Sequence, residues 1–417
     1  MTTQALPKNW VRSKVSKAAT VVMGQSPDSR SVNEEQAGIP FLQGNAEFTE
    51  KHPVPIHWVT KPTKLSEKGD ILISVRAPVG EINIADKEYC IGRGLAAIRF
   101  RKIDNQFGWY AIAYHKNQLI KLAQGSTFTA VSSKDFLNFE IIHPNDPDEQ
   151  RAIADILSTV DEAITQSESL VRKYQSIKQG LMSDLLTRGV DENGELRPTR
   201  EEAPRLYRAT PLGWLPKEWE ILKLRDTRKS ITSGSRWWAR YYSDEGALFL
   251  RIGNLTREHI NLRFDSIQRV RVPNDAESKR TAVSAGDVLI SVTADLGIIG
   301  VIPENFEEAY VNQHIALVKV NDEITNPRWL GHFLAGEIGK YQFQRMNDSG
   351  AKAGLNLPTV DSLSFANPPR NERDLIVKIL DKQDDMITVE QEQVRKYQLL
   401  KQGLMQDLLS GQVRVKA

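Results

Sequence analysis

The sequence predicts an α+β protein built as two pseudo-two-fold-related mixed α/β domains, separated by two long antiparallel coiled-coil helices. Three observations predict it. One half of the chain repeats in the other, short β-prone runs recur in the same order in both halves, and a spacing of three and four between apolar residues runs through about 38 residues twice. The duplication is the strongest of the three. VRKYQSIKQGLMSDLL at 171–186 returns as VRKYQLLKQGLMQDLL at 394–409, identical at 13 of 16 positions and offset by 223 residues. GDILISVRAPVG at 69–80 returns as GDVLISVTADLG at 286–297, and LPKNW at 6–10 as LPKEW at 215–219. GIPFLQGN at 38–45 has a weaker counterpart in GALFLRIGN at 246–254. The order of blocks is conserved between halves, so the repeat unit is a whole half. Offsets shrink from 223 to about 209 towards the start of each unit, which concentrates change between the shared blocks. Shared blocks read as scaffold and divergent stretches as the parts tuned to different targets.

In the first half VVM (21–23), IPFL (39–42), DILISV (70–75) and LAAIRF (95–100) are β-prone runs between Gly, Pro and Asn punctuation, with a helix expected near 106–122. The second half repeats this with LFLRI (248–252), VLISV (288–292), IALVKV (315–320) and a helix near 327–343. From about 147 to 187 the pattern is long-period helix. Ile153, Leu157, Val160, Ile164, Val171 and Tyr174, with Ser167 counted in its place, form a coiled-coil seam that Leu181 extends. The second seam is Ile376, Leu380, Ile387, Val394, Tyr397 and Leu404, interrupted by Gln383 and Glu390. Those two polar positions are expected to face a partner or solvent. Asp146 is placed to cap the first helix, with Pro147 at its first position and Glu149 at its third. Gly180 and Gly403 are candidate kinks. At 1.5 Å per residue, about 38 residues span about 57 Å. An antiparallel pair would form a rod with a domain at each end; packing of each helix on its own domain, or homodimerisation, is the alternative. The domain limits that follow are 1–146, 147–205 for the first long helix and its polar link, 206–370, and 371–417.

Composition narrows the function. With 417 residues, 40% hydrophobic and 26% charged, the chain is globular and has room for two or three domains. Cys90 is its one cysteine, which rules out an internal disulfide, a Cys-based zinc site and a CxxC redox pair. No apolar run approaches the roughly 18 residues of a membrane span, and MTTQALPKNW lacks the order of a signal peptide, so the cytoplasm is the expected compartment. Net charge is only +2, but residues 223–280 hold 13 basic against 7 acidic residues. A nucleic-acid surface must therefore arise by placing side chains on one face.

The catalytic signatures sought are missing, and no carboxylate pair followed by Lys stands at convincing spacing in both units, although the abundance of Asp and Glu leaves a paired-carboxylate nuclease site open on counting alone. The sequence has no GxxxxGK[ST] loop, and its seven histidines form no HExxH-like array. Asn367-Pro368-Pro369-Arg370 resembles the NPP-aromatic loop of amino-methyltransferases, but Arg370 stands where a stacking ring is required and no glycine-rich donor loop precedes it. A Pro-rich lead into the second long helix accounts for it.

Internal pseudo-two-fold symmetry suits a pseudo-two-fold partner, of which duplex DNA is the commonest; independent use of two duplicated halves is the alternative. Candidate DNA contacts lie in the divergent polar loops. In SGSRWWARYYSDEG, Arg236 and Arg240 flank two Trp and two Tyr, and RIGN supplies Arg251 and Asn254. A packed aromatic corner is the other reading of Trp237 and Trp238. The first half offers Arg30, Gln43, Asn45 and Arg76, then Gln124, Ser126, Thr127 and Lys134 in QGSTFTAVSSKDF; the second half answers with Lys352 and Asn356. Arg matches guanine bidentately, Asn and Gln match adenine, and Ser, Thr and Lys hold phosphates.

The paired LPKNW/LPKEW, GDILISVRAPVG/GDVLISVTADLG and, above all, the two KQGLM blocks followed by Leu-Leu resemble the specificity subunit of type I restriction-modification systems. The resemblance covers essentially the whole chain, in the order target recognition domain, central conserved helix, second target recognition domain, distal conserved helix. It implies a non-catalytic, DNA-binding subunit that reads a bipartite target. Its helices would dock two methyltransferase subunits that methylate adenine with S-adenosylmethionine, and the full complex would add restriction subunits using ATP and Mg2+. It implies no cofactor on this chain. A methylation-only or orphan complex, and a coiled-coil scaffold carrying two binding domains, remain as alternatives.

Overall fold

The computed structural model describes residues 6–123, 130–234, 237–348 and 354–415. The chain forms two compact units, one of residues 1–166 with 394–417, the other of residues 167–393. Each contains a mixed domain and a portion of both long helices.

In the first unit, Ala19–Met23, Leu95–Phe100, Ile71–Ser74 and Ile82–Ile84 form an antiparallel four-stranded sheet in that order. Its inner strands, ILIS and LAAIRF, are buried throughout except at Arg99, with Ile71, Ile73 and Ile98 supplying β-branched side chains suited to a covered sheet. A second sheet is ordered Val32–Asn33, His57–Val59, Ile39–Leu42, Tyr89–Ile91, Leu65–Ser66, with Ile39–Leu42 and Tyr89–Ile91 parallel. The second unit repeats the first sheet in full and four of the five strands of the second, with only an isolated Ala282–Tyr310 bridge where Leu65–Ser66 pairs Tyr89–Ile91. Arg228–Ser233, Ile315–Val320, Val288–Ser291 and Ile299–Val301 form one sheet; Tyr242–Ser243, Arg269–Val270, Ala247–Leu250 and Ala309–Val311 form the other, again with one parallel pair. The repeat read in the sequence is thus a repeat of topology.

The helices expected at 106–122 and 327–343 are each broken once, into Asn105–Tyr114 and Lys116–Ala123, and into Pro327–Ala335 and Glu337–Asp348. Each pair starts on a side-chain cap, Asp104 accepting from the Gln106 and Phe107 amides and Asn326 from those of Arg328 and Trp329.

The long helices run Pro147–Leu185 and Arg370–Leu409. Asp146 caps the first, its Oδ1 accepting from the Asp148 amide at 3.0 Å. Neither glycine interrupts its helix. The α-helix is continuous through Gly180 and Gly403, and a Cβ at either would meet nothing within 4 Å. Within each unit the pairing is antiparallel. In the second, Lys178 meets Asp384 while Leu185 and Leu186 share a core with Ile376, Val377 and Leu380. In the first, Asp161 meets Lys401 while Ile153 and Leu157 share a core with Leu408 and Leu409. Of the seam, Ile153, Leu157, Ile376, Leu380 and Ile387 are fully buried and Val160 nearly so, whereas Ile164, Val171, Tyr174, Leu181, Val394, Tyr397 and Leu404 are half-buried. Gln383 corrects the expectation that it faces a partner or solvent. It is 7% exposed, and its amide donates to the Tyr174 carbonyl at 2.9 Å, so this polar interruption lies inside the pair. Glu390 is half-buried.

The shared blocks owe their residues to reciprocal contacts. Lys178 and Lys401 open the two KQGLM blocks, and Asp384 and Asp161 are related by the same offset of 223. Each lysine pairs with the aspartate of the other helix, at 2.5 and 2.6 Å. The tryptophans of LPKNW and LPKEW behave alike. Trp10 Nε1 donates to Glu149, which also takes Arg414 bidentately; Trp219 Nε1 donates to Glu372, which also takes Arg197 bidentately. The same contacts thus recur once inside each unit.

Candidate nucleic-acid interface

In each domain the divergent loops meet at one end of the two sheets. In the first domain the Gly24 amide donates to Leu95 O and the Gln25 amide to Ile91 O. The Gly92 amide donates to Leu42 O, and the Val75 amide to Gly94 O. The ends of five strands are thereby laced together, and the turn Gly92–Gly94 lies against the backbone of Gln43, within 3.0 Å of where Cβ atoms would stand. A Cβ on Gly24 would strike the Gly92 carbonyl, so glycine is required for that approach. The second domain repeats the two bonds that flank its turn, while the bond from its glycine goes to the turn itself rather than to the strand that follows. Gly234 donates to Asn312 O, Asn312 to Leu250 O and Val292 to His314 O, and Gly234 is again the residue against which a side chain would collide.

The predicted residues fall unevenly on this frame. Gln43 and Arg76 are exposed and belong to the laced loops; Asn45, in the turn after Gln43, is half-buried. Arg30 sits on the short 3-10 turn Ser29–Ser31, its guanidinium 2.7 Å from Asp28, whose carboxyl it holds below the usual range. Arg240 occupies the equivalent 3-10 turn, Trp237–Tyr241, and lies 4.8 Å over the Tyr241 ring. Arg251 follows Ala247–Leu250 as Gln43 follows Ile39–Leu42, and donates to Ser266 Oγ. Lys134 is exposed on Ser133–Asn138, and Asn356 caps Leu357–Asp361. Gln124, Ser126, Thr127, Arg236 and Lys352 lie outside the described residues. Asn254 needs correction as a reading side chain. It is 3% exposed, and its amide is occupied by Arg251 N, Arg263 O and Ser266 O, so it fixes the loop carrying Arg251.

The aromatic pair divides. Trp238 is 1% exposed, stacked on Phe249 and against Tyr310, whereas Trp237 is 73% exposed. The basic stretch 223–280 is also less free than its count suggests, since Arg225, Arg228, Lys229, Arg257, Arg269 and Arg280 each meet a carboxylate. Asn367 of the NPPR segment closes the strand Ser364–Asn367, accepting from Thr325 and Arg373 immediately before the helix that begins at Arg370.

Sequence reading missed Arg93 in the first laced turn and Thr293, Gln313 and His314 in the second. Thr293 Oγ1 lies 2.6 Å from His314 Nδ1, and Gln313 Nε2 lies 2.8 Å from His314 Nε2. Alignment of GRGLAAIRF with NQHIALVKV across the duplication would have exposed both turns. Among the described residues no group of three or more His, Cys, Asp or Glu is placed to hold a metal ion, and no helix is long and apolar enough to cross a membrane.

Two copies of one α/β domain, each carrying divergent loops on a common frame and tied to portions of long helices, define a duplicated, two-domain class of chain. A family model described as the type I restriction modification DNA specificity domain matches residues 7–178 and again 216–400, one copy in each half, and the chain belongs to that family. It is 42% identical over 187 residues to a putative type I restriction enzyme MjaX specificity subunit of Methanocaldococcus jannaschii, an alignment that spans 44% of each protein. It is 22% identical to the MjaVIII specificity subunit of the same organism over 99% of this chain and 94% of that one. The crystal structure of a type I restriction-modification S subunit from M. genitalium shares the fold, with a TM-score of 0.65 at 16% identity over 97% of this chain and 98% of that one. A chain from a structure of type I R-M complex assembly gives 0.52 at 17% identity over 98% and 100%.

Proposed function

We propose that this chain is the sequence-specific DNA-binding subunit of a type I restriction-modification complex, each of its two domains reading one half of a bipartite target. The observation that carries the reading is the lacing of equivalent strand ends in both domains, which places unlike side chains on like frames. Gln43, Asn45, Arg76 and Arg30 serve one half-site and Arg240 and Arg251 the other, with Lys134 and Asn356 as backbone contacts. Gln124, Ser126, Thr127, Arg236 and Lys352 belong to the same proposal by sequence position. The recognition domains are residues 1–146 and 206–370, and the helical segments 147–205 and 371–417 set the spacing of the half-sites and dock two methyltransferase subunits. Those partners supply adenine methylation with S-adenosylmethionine, and restriction subunits add cleavage with ATP and Mg2+. Binding to cognate and single-mismatch duplexes at two salt concentrations tests the assignment. Replacing a base-reading side chain by Ala costs about 1–3 kcal/mol against the cognate pair alone, whereas losing a phosphate contact weakens all duplexes alike and lowers the salt slope. Unchanged affinity and unchanged discrimination in both Arg240→Ala and Arg251→Ala would remove the second domain's assignment.

A further inference from the structure

We infer that Arg93 and Gln313 occupy one base-reading position in the two domains, Arg93 selecting guanine and Gln313 adenine; the inference rests on the reading of the laced loops as the DNA-facing end. The two residues are equivalent by frame. Each stands second in the turn between the short strand that pairs in parallel and the long strand that follows it, after Tyr89–Ile91 and before Leu95–Phe100, and after Ala309–Val311 and before Ile315–Val320. The backbone on either side makes the same bonds in both domains, to Leu42 and Val75 in one and to Leu250 and Val292 in the other.

The flanking residues differ in a way that fits the two side chains. Gly92 and Gly94 bracket Arg93, and both lie against Gln43 backbone with no room for a Cβ, so the exposed guanidinium is the group this turn presents. Among the described residues Arg93 makes no ion pair. A guanidinium carries its paired donors in a rigid fork and needs no bracing to address the two acceptors of guanine, O6 and N7. Glutamine does need it, because its amide must be held one way round to offer a donor and an acceptor together to adenine N7 and N6. Here Asn312 and His314 replace the glycines. Asn312 Oδ1 accepts from the His314 amide at 3.1 Å, and His314 is held between Thr293 and Gln313. With the Gln313 amide nitrogen donating to His314 Nε2, the imidazole proton lies on Nδ1 and is donated to Thr293 Oγ1. One amide hydrogen and Oε1 of Gln313 are left over, which is the donor and acceptor pair adenine requires. His314 and Thr293 are positioning residues in this scheme.

The test reads the methylated motif, position by position, in cells co-expressing the full chain with its methyltransferase. Gln313→Arg should convert one A·T pair of one half-site to G·C and leave the other half-site untouched; Arg93→Gln should do the converse in the other half-site. Gln313→Ala and Arg93→Ala, which remove the reading group without supplying another, should lower discrimination at those same single positions by about 5- to 150-fold. His314→Ala and Thr293→Val should relax the same position as Gln313→Ala, and His314→Ala should add nothing in the Gln313→Ala background. If Gln43→Ala or Arg251→Ala alters the motif while Arg93→Ala and Gln313→Ala leave every position unchanged, the inference is overturned and the loop reading stands. If none of these four variants alters it, both fall.

Discussion

At the scale of single residues, the molecule buries polar groups whose protonation sets its acid tolerance. His115, at the break between Asn105–Tyr114 and Lys116–Ala123, is 5% exposed, and neither ring nitrogen has a hydrogen-bond partner. Burial first, then the nearby Arg12 guanidinium, push its imidazole down to about 4. The folded state therefore refuses a proton that the unfolded chain accepts near 6.5. The stability contribution is complete above about pH 6.5 and is lost as pH falls towards 4, to a total of about 3 kcal/mol. His143, His259 and His332 are lowered by burial as well and act in the same sense. Urea unfolding at pH 7.5 and 5.0 should show a smaller acid loss in His115→Phe than in the parent; equal losses would contradict a buried neutral imidazole. The sequence did not disclose this site, because a histidine inside an apolar helical run is readable as core but not as unpartnered. Arg93 and Gln313 were hidden for a related reason. Their setting depends on strand ends brought together from four separate parts of the chain.

At the scale of elements, the two lysine–aspartate pairs are equivalent in sequence but not in environment. Lys178 and Asp384 have side chains 6% and 0% exposed, and Asp384 also accepts from the Ile260 amide; burial pulls the Lys178 ammonium down while Asp384 opposes it. Lys401 and Asp161 are 31% and 33% exposed, and Asp161 accepts from the Tyr110 hydroxyl as well. Removing one partner of the deeper pair leaves an uncompensated buried charge. Lys178→Ala should destabilise the protein by roughly 3–5 kcal/mol, and Lys401→Ala by about 1 kcal/mol or less. Denaturant midpoints for the two variants measure the difference, and equal losses would show that burial does not separate them. The helices themselves were legible, since their period, caps and limits follow from the apolar spacing and Asp146. The inward face of Gln383 was not. A polar residue at a seam position reads as a break unless the carbonyl it satisfies, that of Tyr174 on the other helix, is known. Helix length carries a further prediction. Seven residues inserted into each long helix outside the KQGLM blocks keep the seam in phase and add about 10 Å, or roughly three base pairs of duplex. Methylation should weaken, and what survives should move to targets with a longer spacer and unchanged half-sites. Selection from randomised spacers reads this directly, and an active variant that kept the parental spacing would remove the helices as the ruler.

At the scale of the whole molecule, duplication explains why some sequence features are shared and others are not. The tryptophans of LPKNW and LPKEW and the lysines of the KQGLM blocks recur because each makes the same contact twice, and the glycines at 24 and 234 because each lies against the backbone of the equivalent turn. Gln43 against Arg251, Arg76 against Thr293 and Arg93 against Gln313 differ on equivalent frames, where two targets would require different chemistry. That contrast is the core of the account, and it was visible in the sequence as blocks and gaps before any geometry was known. The most direct test is to sequence methylated adenines in cells carrying the chain with its methyltransferase, comparing the parent with a variant in which Arg240 and Arg251 are both Ala. Two short specific sequences separated by an unspecified spacer are expected in the parent, with only one of the two relaxed in the variant. A single continuous motif, or relaxation of both halves together, would contradict a chain whose domains read independently.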